Sequence, residues 1–408
     1  ESPKFNLSWI TAFTVIVVGI IGFRFQEMPF GKITTNAAGE TIYKWGFVST
    51  KATNDGFVDG WARWNFTGYE GKSAYAEYRA VVETMKNIGQ DPNLGCGRAL
   101  WENNGELNKY GTTMSLMLLP HWTKGCIGSM EGLNFEAAGT TPYHFITAAA
   151  MSKQSSNPVR ELRYDDNNAG LGVRYLQELG VRYYMAFTAE AINQANMQAA
   201  LVKVAQSGPW VIYKVEASDL VVPMSVQPVI VTSKVGDPKE RWLEIGTSWF
   251  QHPEDWAAVP VASGPESWQK VEAVVDLNRR QGEPTDSSRR VDIVKPSETI
   301  NKVELPAVQV SNTVLEDEAI SFTVDKIGVP VLVRMSYFPN WKVENAEGPY
   351  RVAPNMMVVI PTSKEVRLHY GYSFIDFFAY FMTLLGVATM AVRWRGRQVE
   401  RNRKLLSR

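Results

Sequence analysis

Two apolar runs bracket the chain. Between Lys4 and Arg24 no charged residue occurs, and the stretch 9–23 is almost wholly apolar. Counted from Phe5 the run is about 19 residues, near the roughly 20 that a helix needs to cross the hydrocarbon core of a bilayer. A second run, 374–392, has similar length and one charge, Asp376, at its edge. In lipid every backbone polar group must be satisfied within the segment, so isolated runs of this kind read as helices. The pattern predicts transmembrane helices over residues 5–24 and 373–393. A signal peptide is the competing reading of the first run, but the bulky, charged sequence FRFQEMPFG follows it where a small-residue cleavage site would stand.

Between the runs the periodicity changes once. Residues 25–70 are rich in Gly, Asn and Thr with aromatics between them and read as loops and short strands. Residues 73–89 carry apolar positions at helical spacing and stop at Gly89, the expected C-cap. GCGRALWE reads as a short buried strand, and 107–119 and 142–150 as helix or loop pieces. GVRYLQELG is a helix ending at Gly180, VRYYMAF a strand, 189–207 a second helix, and PWVIYKVE a second strand. Alternating helices and strands predict an α/β domain within residues 25–222. After Pro223 come short apolar runs bounded by Pro, Gly, Asn or Asp, among them PVIVTS, DIVKP, KVELPAVQV, AISFTVD, VPVLVRMSY and EVRLHYGY. They predict a jelly-roll-like β-sandwich over residues 223–372. The expected fold is therefore α+β and membrane-anchored: an α/β domain, then a β-sandwich, flanked by two transmembrane helices. The chain opens on Glu1, which points to a fragment or a processed product.

Charge sets the expected orientation. After the second run come Arg393, Arg395, Arg397, Arg401, Arg403, Lys404 and Arg408, opposed only by Glu400. Basic residues flanking a span favour the cytoplasmic side. The tail 394–408 and the N-terminus are then cytoplasmic, and the bulk of the chain lies outside the cell membrane. Over the whole chain 42 basic residues balance 42 acidic ones, so no global field favours nucleic acid as a partner. Membrane lipid is the first expected partner. The two cysteines, Cys96 and Cys126, form an even pair in an outward-facing region and read as one disulfide. Closing a loop of that length contributes roughly 3 kcal/mol in the chain-entropy model. The four His are scattered, so no metal site is expected. No glycine-rich phosphate loop precedes a helix, and no G-x-S-x-G elbow occurs, so no cofactor and no nucleophile are indicated.

Two pairs of stretches carry a family resemblance. LGVRYYMAF followed by GPWVIYKVEASDLVVPM, and SYFPNWKV followed by PNMMVVIPTSKEVRLHYG, resemble the extracytoplasmic region of YfhO-like membrane proteins. Asn340 and the pair Ser363 and Lys364 stand where that family usually has glycine. The resemblance covers roughly residues 95–392. The texture around LWENNGELNKYGT and MEGLNFEAAGTTPYHF is similar to large actinobacterial cell-envelope membrane proteins. The YfhO-like proteins belong with the GT-C glycosyltransferases, which use a polyprenyl-phosphate sugar as donor. Their general base lies in the first extracytoplasmic loop of a transmembrane bundle that this chain does not contain. No catalytic residue is therefore carried over. The resemblance implies the glycan- or glycolipid-binding portion of such an enzyme, with a glycan or lipid-linked sugar as ligand. A membrane-anchored scaffold that recruits other envelope proteins is the alternative.

Flat rings beside hydrogen-bonding groups suit sugar recognition, and the chain holds 13 Trp. Trp101, Glu102, Asn103, Asn104 and Glu106 place one ring among several polar groups and are the first candidates, against the plain reading of a polar turn after a strand. Trp61 and Trp64, with Arg63 and Tyr69, read as a membrane-interface belt or a channel for a lipid-linked sugar. Glu131 and Glu136 are close enough in sequence for paired-carboxylate chemistry, or they belong to a solvated loop. The oxygen-rich run 164–168 reads as helix-cap chemistry or part of a calcium loop, and Trp341 as a ring packed in the sandwich.

Overall fold

The computed structural model describes residues 7–22, 32–35, 41–45, 47–51, 63–131, 138–232, 238–280 and 291–406. The chain divides into two compact units. One comprises Glu1–Thr84 with Asn104–Leu116, the other Met85–Asn103 with Met117–Arg408.

The first unit holds helix α1 (Leu7–Gly22), an antiparallel three-stranded sheet of β1 (Lys32–Thr35), β2 (Thr41–Trp45) and β3 (Val48–Lys51), and the short helix α2 (Arg63–Phe66). It also contains the start of α3 (Tyr75–Gln90), whose last turn belongs to the second unit. Tyr78 is the hub of this start. Its ring stacks on Tyr69 at 5.0 Å and tilts against Tyr110 at 5.8 Å, and its hydroxyl donates to the Ser115 carbonyl at 3.1 Å.

The second unit opens on a five-stranded mixed sheet. Its strands are β4 (Gly97–Trp101), β5 (Ile127–Ser129), β6 (Val181–Ala186), β7 (Leu201–Ser207) and β8 (Trp210–Val215), in the order β5-β4-β6-β8-β7. The first three run parallel, and β8 is antiparallel to both β6 and β7. Helices α4 (Leu119–Trp122), α5 (Thr141–Ala150), α6 (Ala169–Glu178) and α7 (Ala189–Asn196) connect them. The expected long helix 189–207 is corrected: α7 stops at Asn196, and 201–207 is a strand. Its register with β8 extends from Leu201↔Val215 to Ser207↔Trp210, a pairing that tertiary contact sets and local propensity does not.

An eight-stranded sheet follows, in the order β13-β12-β10-β11-β18-β19-β16-β9. It is built from β9 (Val221–Pro223), β10 (Val229–Thr232), β11 (Pro260–Val261), β12 (Lys270–Val275), β13 (Val294–Pro296), β16 (Val331–Val333), β18 (Ala346–Val352) and β19 (Met356–Pro361). A four-stranded sheet has the order β14-β15-β20-β17, from β14 (Val310–Leu315), β15 (Ala319–Val324), β17 (Trp341–Glu344) and β20 (Glu365–Tyr370). One apolar core extends from the five-stranded sheet and its helices into the eight-stranded sheet. A second core is shared by the two later sheets: Ile320 and Phe322 of β15 and Val366 and Leu368 of β20 meet Val331 of β16 and Met357 and Val359 of β19. Inward residues on β20 alternate with exposed Glu365 and Arg367, the period-two pattern of a strand with one face in the core. Two short helices, α8 (Pro238–Gln251) and α9 (Leu277–Arg280), interrupt this β-rich region.

Helix α10 (Phe374–Leu406) closes the chain. Among the described residues it is the one helix long and apolar enough to cross a membrane, over Phe374–Val399, and none of that stretch is buried. Helix α1 is apolar but has 16 residues, about 24 Å of rise against a hydrocarbon core of roughly 30 Å. The remaining residues of the predicted first span, 5, 6, 23 and 24, lie outside the described residues.

Cys96 and Cys126 stand at disulfide distance, Cα–Cα 4.7 Å, and join the N-terminal ends of β4 and β5. This corrects the role expected for Gly89. Helix α3 continues through it to Gln90, and a Cβ there would lie 2.6 Å from Cys126 Sγ. Glycine at 89 lets the helix pass close to the sulfur.

Candidate functional site

A cleft in the second unit has a volume of about 470 Å³, within the range of about 300–1,000 Å³ usual for small-molecule sites. The first turns of α5 contribute Thr141, Pro142, Tyr143 and Phe145. Helix α8 contributes Trp242 and Leu243, strand β18 contributes Arg351, and Ala138, Gly139, Pro158 and Val159 complete the lining. Pro142 at the start of α5 has its φ preset for the helix and no N–H to leave unpaired.

Two polar groups in the lining are held by neighbours. Trp242 Nε1 donates to the Pro354 carbonyl at 2.9 Å, which fixes the indole. Arg351 Nε donates to Asn355 Oδ1 at 2.7 Å. Asn355 is itself buried and donates Nδ2 to Ser336 Oγ at 3.2 Å, so the guanidinium is oriented from behind. Gly139 allows this arrangement, since a Cβ there would lie 2.6 Å from Asn355 Nδ2. The Arg351 guanidinium carbon lies 4.9 Å from the centre of the Trp242 ring and 5.9 Å from that of Tyr337, both within cation–π range.

Burial holds the Arg351 guanidinium below its usual range, with Tyr143 and Tyr337 opposing that shift. Burial pushes the Tyr143 hydroxyl up, and Arg351 draws it partly back. Tyr143 is thus a neutral hydroxyl at physiological pH. Among the described residues no carboxylate lines the cleft and none pairs with Arg351. The arrangement offers apolar walls, backed by the buried rings of Tyr143 and Trp242, and one cation with no carboxylate beside it among the described residues. It can hold a ligand with an apolar body and an acceptor group.

The residues singled out in sequence fall elsewhere. Trp101 is 2% exposed, so its ring belongs to the core and presents no stacking face. Glu102 is 0% exposed. Its Oε2 accepts from the N–H groups of Phe187 at 2.7 Å and Thr188 at 2.8 Å, and its Oε1 accepts from Thr188 Oγ1 at 2.7 Å. These donors lie at the C-terminal end of β6, beside the end of β4. In a parallel sheet this edge is where ligands usually bind, and here the protein's own carboxylate fills it. The Asn103 N–H donates to Ser152 Oγ at 2.9 Å.

Within the first unit, Asn104 Oδ1 accepts from the Glu106 N–H at 2.8 Å and caps the 3₁₀ turn Gly105–Tyr110, while Glu106 is exposed. Trp64 is exposed, with the Lys72 ammonium 3.8 Å above its ring. Glu131 is buried against His144, Oε1 to Nε2 2.7 Å, where a solvated loop was the plain expectation. Trp61 and Glu136 lie outside the described residues. In the run 164–168, Asp166 accepts from Ser155 Oγ at 2.9 Å and Asn168 caps α6. None of the expected glycan-binding residues that are described lines the cleft.

Sequence reasoning missed Tyr143, Trp242 and Arg351. The available signals were Trp242, Ile245 and Trp249 at helical spacing, and a charge, Arg351, inside the apolar run YRVAPNMMVVIP. Comparison with known protein families, with curated proteins and with solved structures finds no match to this chain.

Proposed function

We propose that this chain is the extracytoplasmic, glycan- or glycolipid-binding portion of a polyprenyl-phosphate-sugar-dependent glycosyltransferase of cell-envelope synthesis, with the catalytic bundle outside it. The observation that carries the binding part is the largely apolar cleft, in whose wall the Arg351 guanidinium has no carboxylate beside it among the described residues. A partly desolvated charge costs free energy unless it is paired, and a ligand acceptor group would pair it. The assignment to the glycosyltransferase class rests on the stretches that resemble YfhO-like proteins. In the same reading the eight- and four-stranded sheets, which share a core, form a β-sandwich. Helices α1 and α10 both cross the membrane, and both termini are cytoplasmic.

The binding test uses the chain reconstituted in lipid nanodiscs and a panel of gluco-, galacto-, manno- and arabino-oligosaccharides, titrated calorimetrically. Ala138→Trp places a bulky ring in the cleft lining, where Ala138 is half-buried. It is expected to weaken binding about tenfold or more, a loss of at least ~1.4 kcal/mol, with the thermal melt nearly unchanged. Unchanged binding would remove this cleft as the site, and release of sugar by the wild-type chain alone would remove the binding-only reading.

Orientation has its own test. Protease added outside intact cells is expected to cut the region between the apolar helices and to spare a tag placed after Arg408. Loss of the tag would reverse the assigned topology.

A further inference from the structure

The junction between the four-stranded sheet and α10 is built as a rigid bracket. Strand β20 ends at Tyr370 and α10 begins at Phe374, so three residues connect them. The N–H and Oγ of Ser373 each donate to Asp376 Oδ2 at 2.6 Å, capping the helix. Asn340 Nδ2 donates both to that carboxylate at 3.1 Å and to the Gly371 carbonyl at 3.0 Å, and the Gly371 N–H donates back to the Asn340 carbonyl at 3.0 Å. Lys342 Nζ donates to the Tyr372 carbonyl at 3.1 Å. The connecting backbone is thus tied to the start of β17 at several points.

Aromatic rings collect at this end of the sheet. Phe338 stacks on Tyr370 at 6.0 Å, Trp341 meets Tyr370 edge-on at 5.8 Å, and Tyr372 lies 5.9 Å from both Phe377 and Tyr380 of α10. Three of them face outward: Phe338 is 49% exposed, Tyr370 41% and Tyr372 61%. Two tyrosines, each with an apolar body and a polar tip, beside an exposed phenylalanine where a hydrophobic helix begins, match the aromatic belt of a bilayer interface.

We propose that this end of the four-stranded sheet is a lipid-interface surface, with Phe338, Tyr370 and Tyr372 seated in the headgroup layer of the membrane that α10 crosses. The soluble region then stands on the bilayer at a fixed angle and does not swing on a tether. This rests on the reading of α10 as a span. The turn 316–318 limits how deep the surface goes. It carries Glu316, Asp317 and Glu318, and it lies at the same level, since the Tyr370 N–H donates to the Glu318 carbonyl at 2.8 Å. Glu316 is paired with Arg367 at 3.2 Å, and Asp317 and Glu318 remain to be kept in water and to disfavour an anionic surface, so the interaction is with zwitterionic lipid and comes from ring burial.

The test uses the full chain in phosphatidylcholine nanodiscs. Single nitroxide labels are attached at Phe338→Cys, Tyr372→Cys, Ser363→Cys and Leu385→Cys, the native cysteines being joined to each other. Ser363 is exposed just before β20, whose five steps from Glu365 to Tyr370 set the two ends about 17 Å apart. Collision rates with oxygen and with a water-soluble nickel chelate report depth. The oxygen-to-nickel ratio is expected to rise roughly threefold or more at 338 and 372 relative to 363, and to be highest at 385. Lipid exposure at 385 with 338 and 372 as wet as 363 would overturn the interface surface and leave the span standing. Water exposure at 385 would overturn the span, and the surface with it.

Discussion

Replacing Glu102 by alanine is expected to destabilise the second unit by about 4 kcal/mol, the range seen when one partner of a buried charged network is removed. The carboxylate is fully buried and takes three hydrogen bonds, from the N–H groups of Phe187 and Thr188 and from the Thr188 hydroxyl. Alanine leaves these donors facing one another without an acceptor. It also removes the link between the end of β4 and the first residue of α7's cap, since Thr188 Oγ1 in turn accepts from the Ala191 N–H at 3.2 Å. Glu102→Gln can keep its amide oxygen on the two N–H groups and turn its NH₂ to the Thr188 hydroxyl, which can accept, so its cost is expected to be smaller, about 1 kcal/mol. Urea unfolding of the reconstituted chain, read by near-ultraviolet circular dichroism at constant slope, measures both. Stability within ~1 kcal/mol of wild type for the alanine variant would mean that the carboxylate is not structural. Lost sugar binding at unchanged stability would return Glu102 to the ligand site that its sequence context suggested.

That contrast locates what could be read along the chain and what could not. The helix GVRYLQELG and the strand VRYYMAF were legible because their signals are local. Apolar positions recur at helical spacing, Gly180 follows at φ 62°, and a run rich in β-branched and aromatic residues comes next. The apolar C-terminal helix was legible for the same reason. Strand β7 was misread because LVKVAQS acquires its state from antiparallel pairing with β8. Helix α8 went unread because it interrupts a series of strands, although Trp242, Ile245 and Trp249 mark one buried face.

The site was less legible than the fold. WENNGE has a composition that suits sugar binding, but composition does not say which way a strand faces, and Trp101 and Glu102 point into the core. The cleft residues come from α5, α8 and β18, roughly a hundred positions apart in turn. Each alone looks ordinary: a tyrosine after proline, a tryptophan on a helix, an arginine in a strand. Their meeting is a product of tertiary packing, and one sequence read locally carries no record of it.

A glycine behind this cleft supplies the second large effect. Gly246 lies inside α8, where alanine would ordinarily gain up to about 1 kcal/mol from helix propensity. Here the sign is expected to reverse. A Cβ at 246 would lie 2.7 Å from the Pro354 carbonyl oxygen and would run into the Tyr143 hydroxyl. The carbonyl cannot rotate away, because it also accepts from Trp242 Nε1. The ring of Tyr143 is packed edge-on against Phe250 at 5.5 Å. Overpacking at such a contact costs typically 1–3 kcal/mol, so Gly246→Ala is expected to destabilise by about 2 kcal/mol after the propensity gain is counted. Because the strain falls on Tyr143, Trp242 and the backbone beside Asn355, the cleft should narrow, and oligosaccharide binding should weaken about tenfold. Gly170→Ala in α6 is the matched control: its nearest neighbour is 3.7 Å from the added Cβ, an ordinary contact, and the substitution should be neutral or stabilising by a few tenths of a kcal/mol. If Gly246→Ala melts with Gly170→Ala and binds as wild type, the close approach of α8 to Tyr143 and Pro354 is not what shapes the cleft.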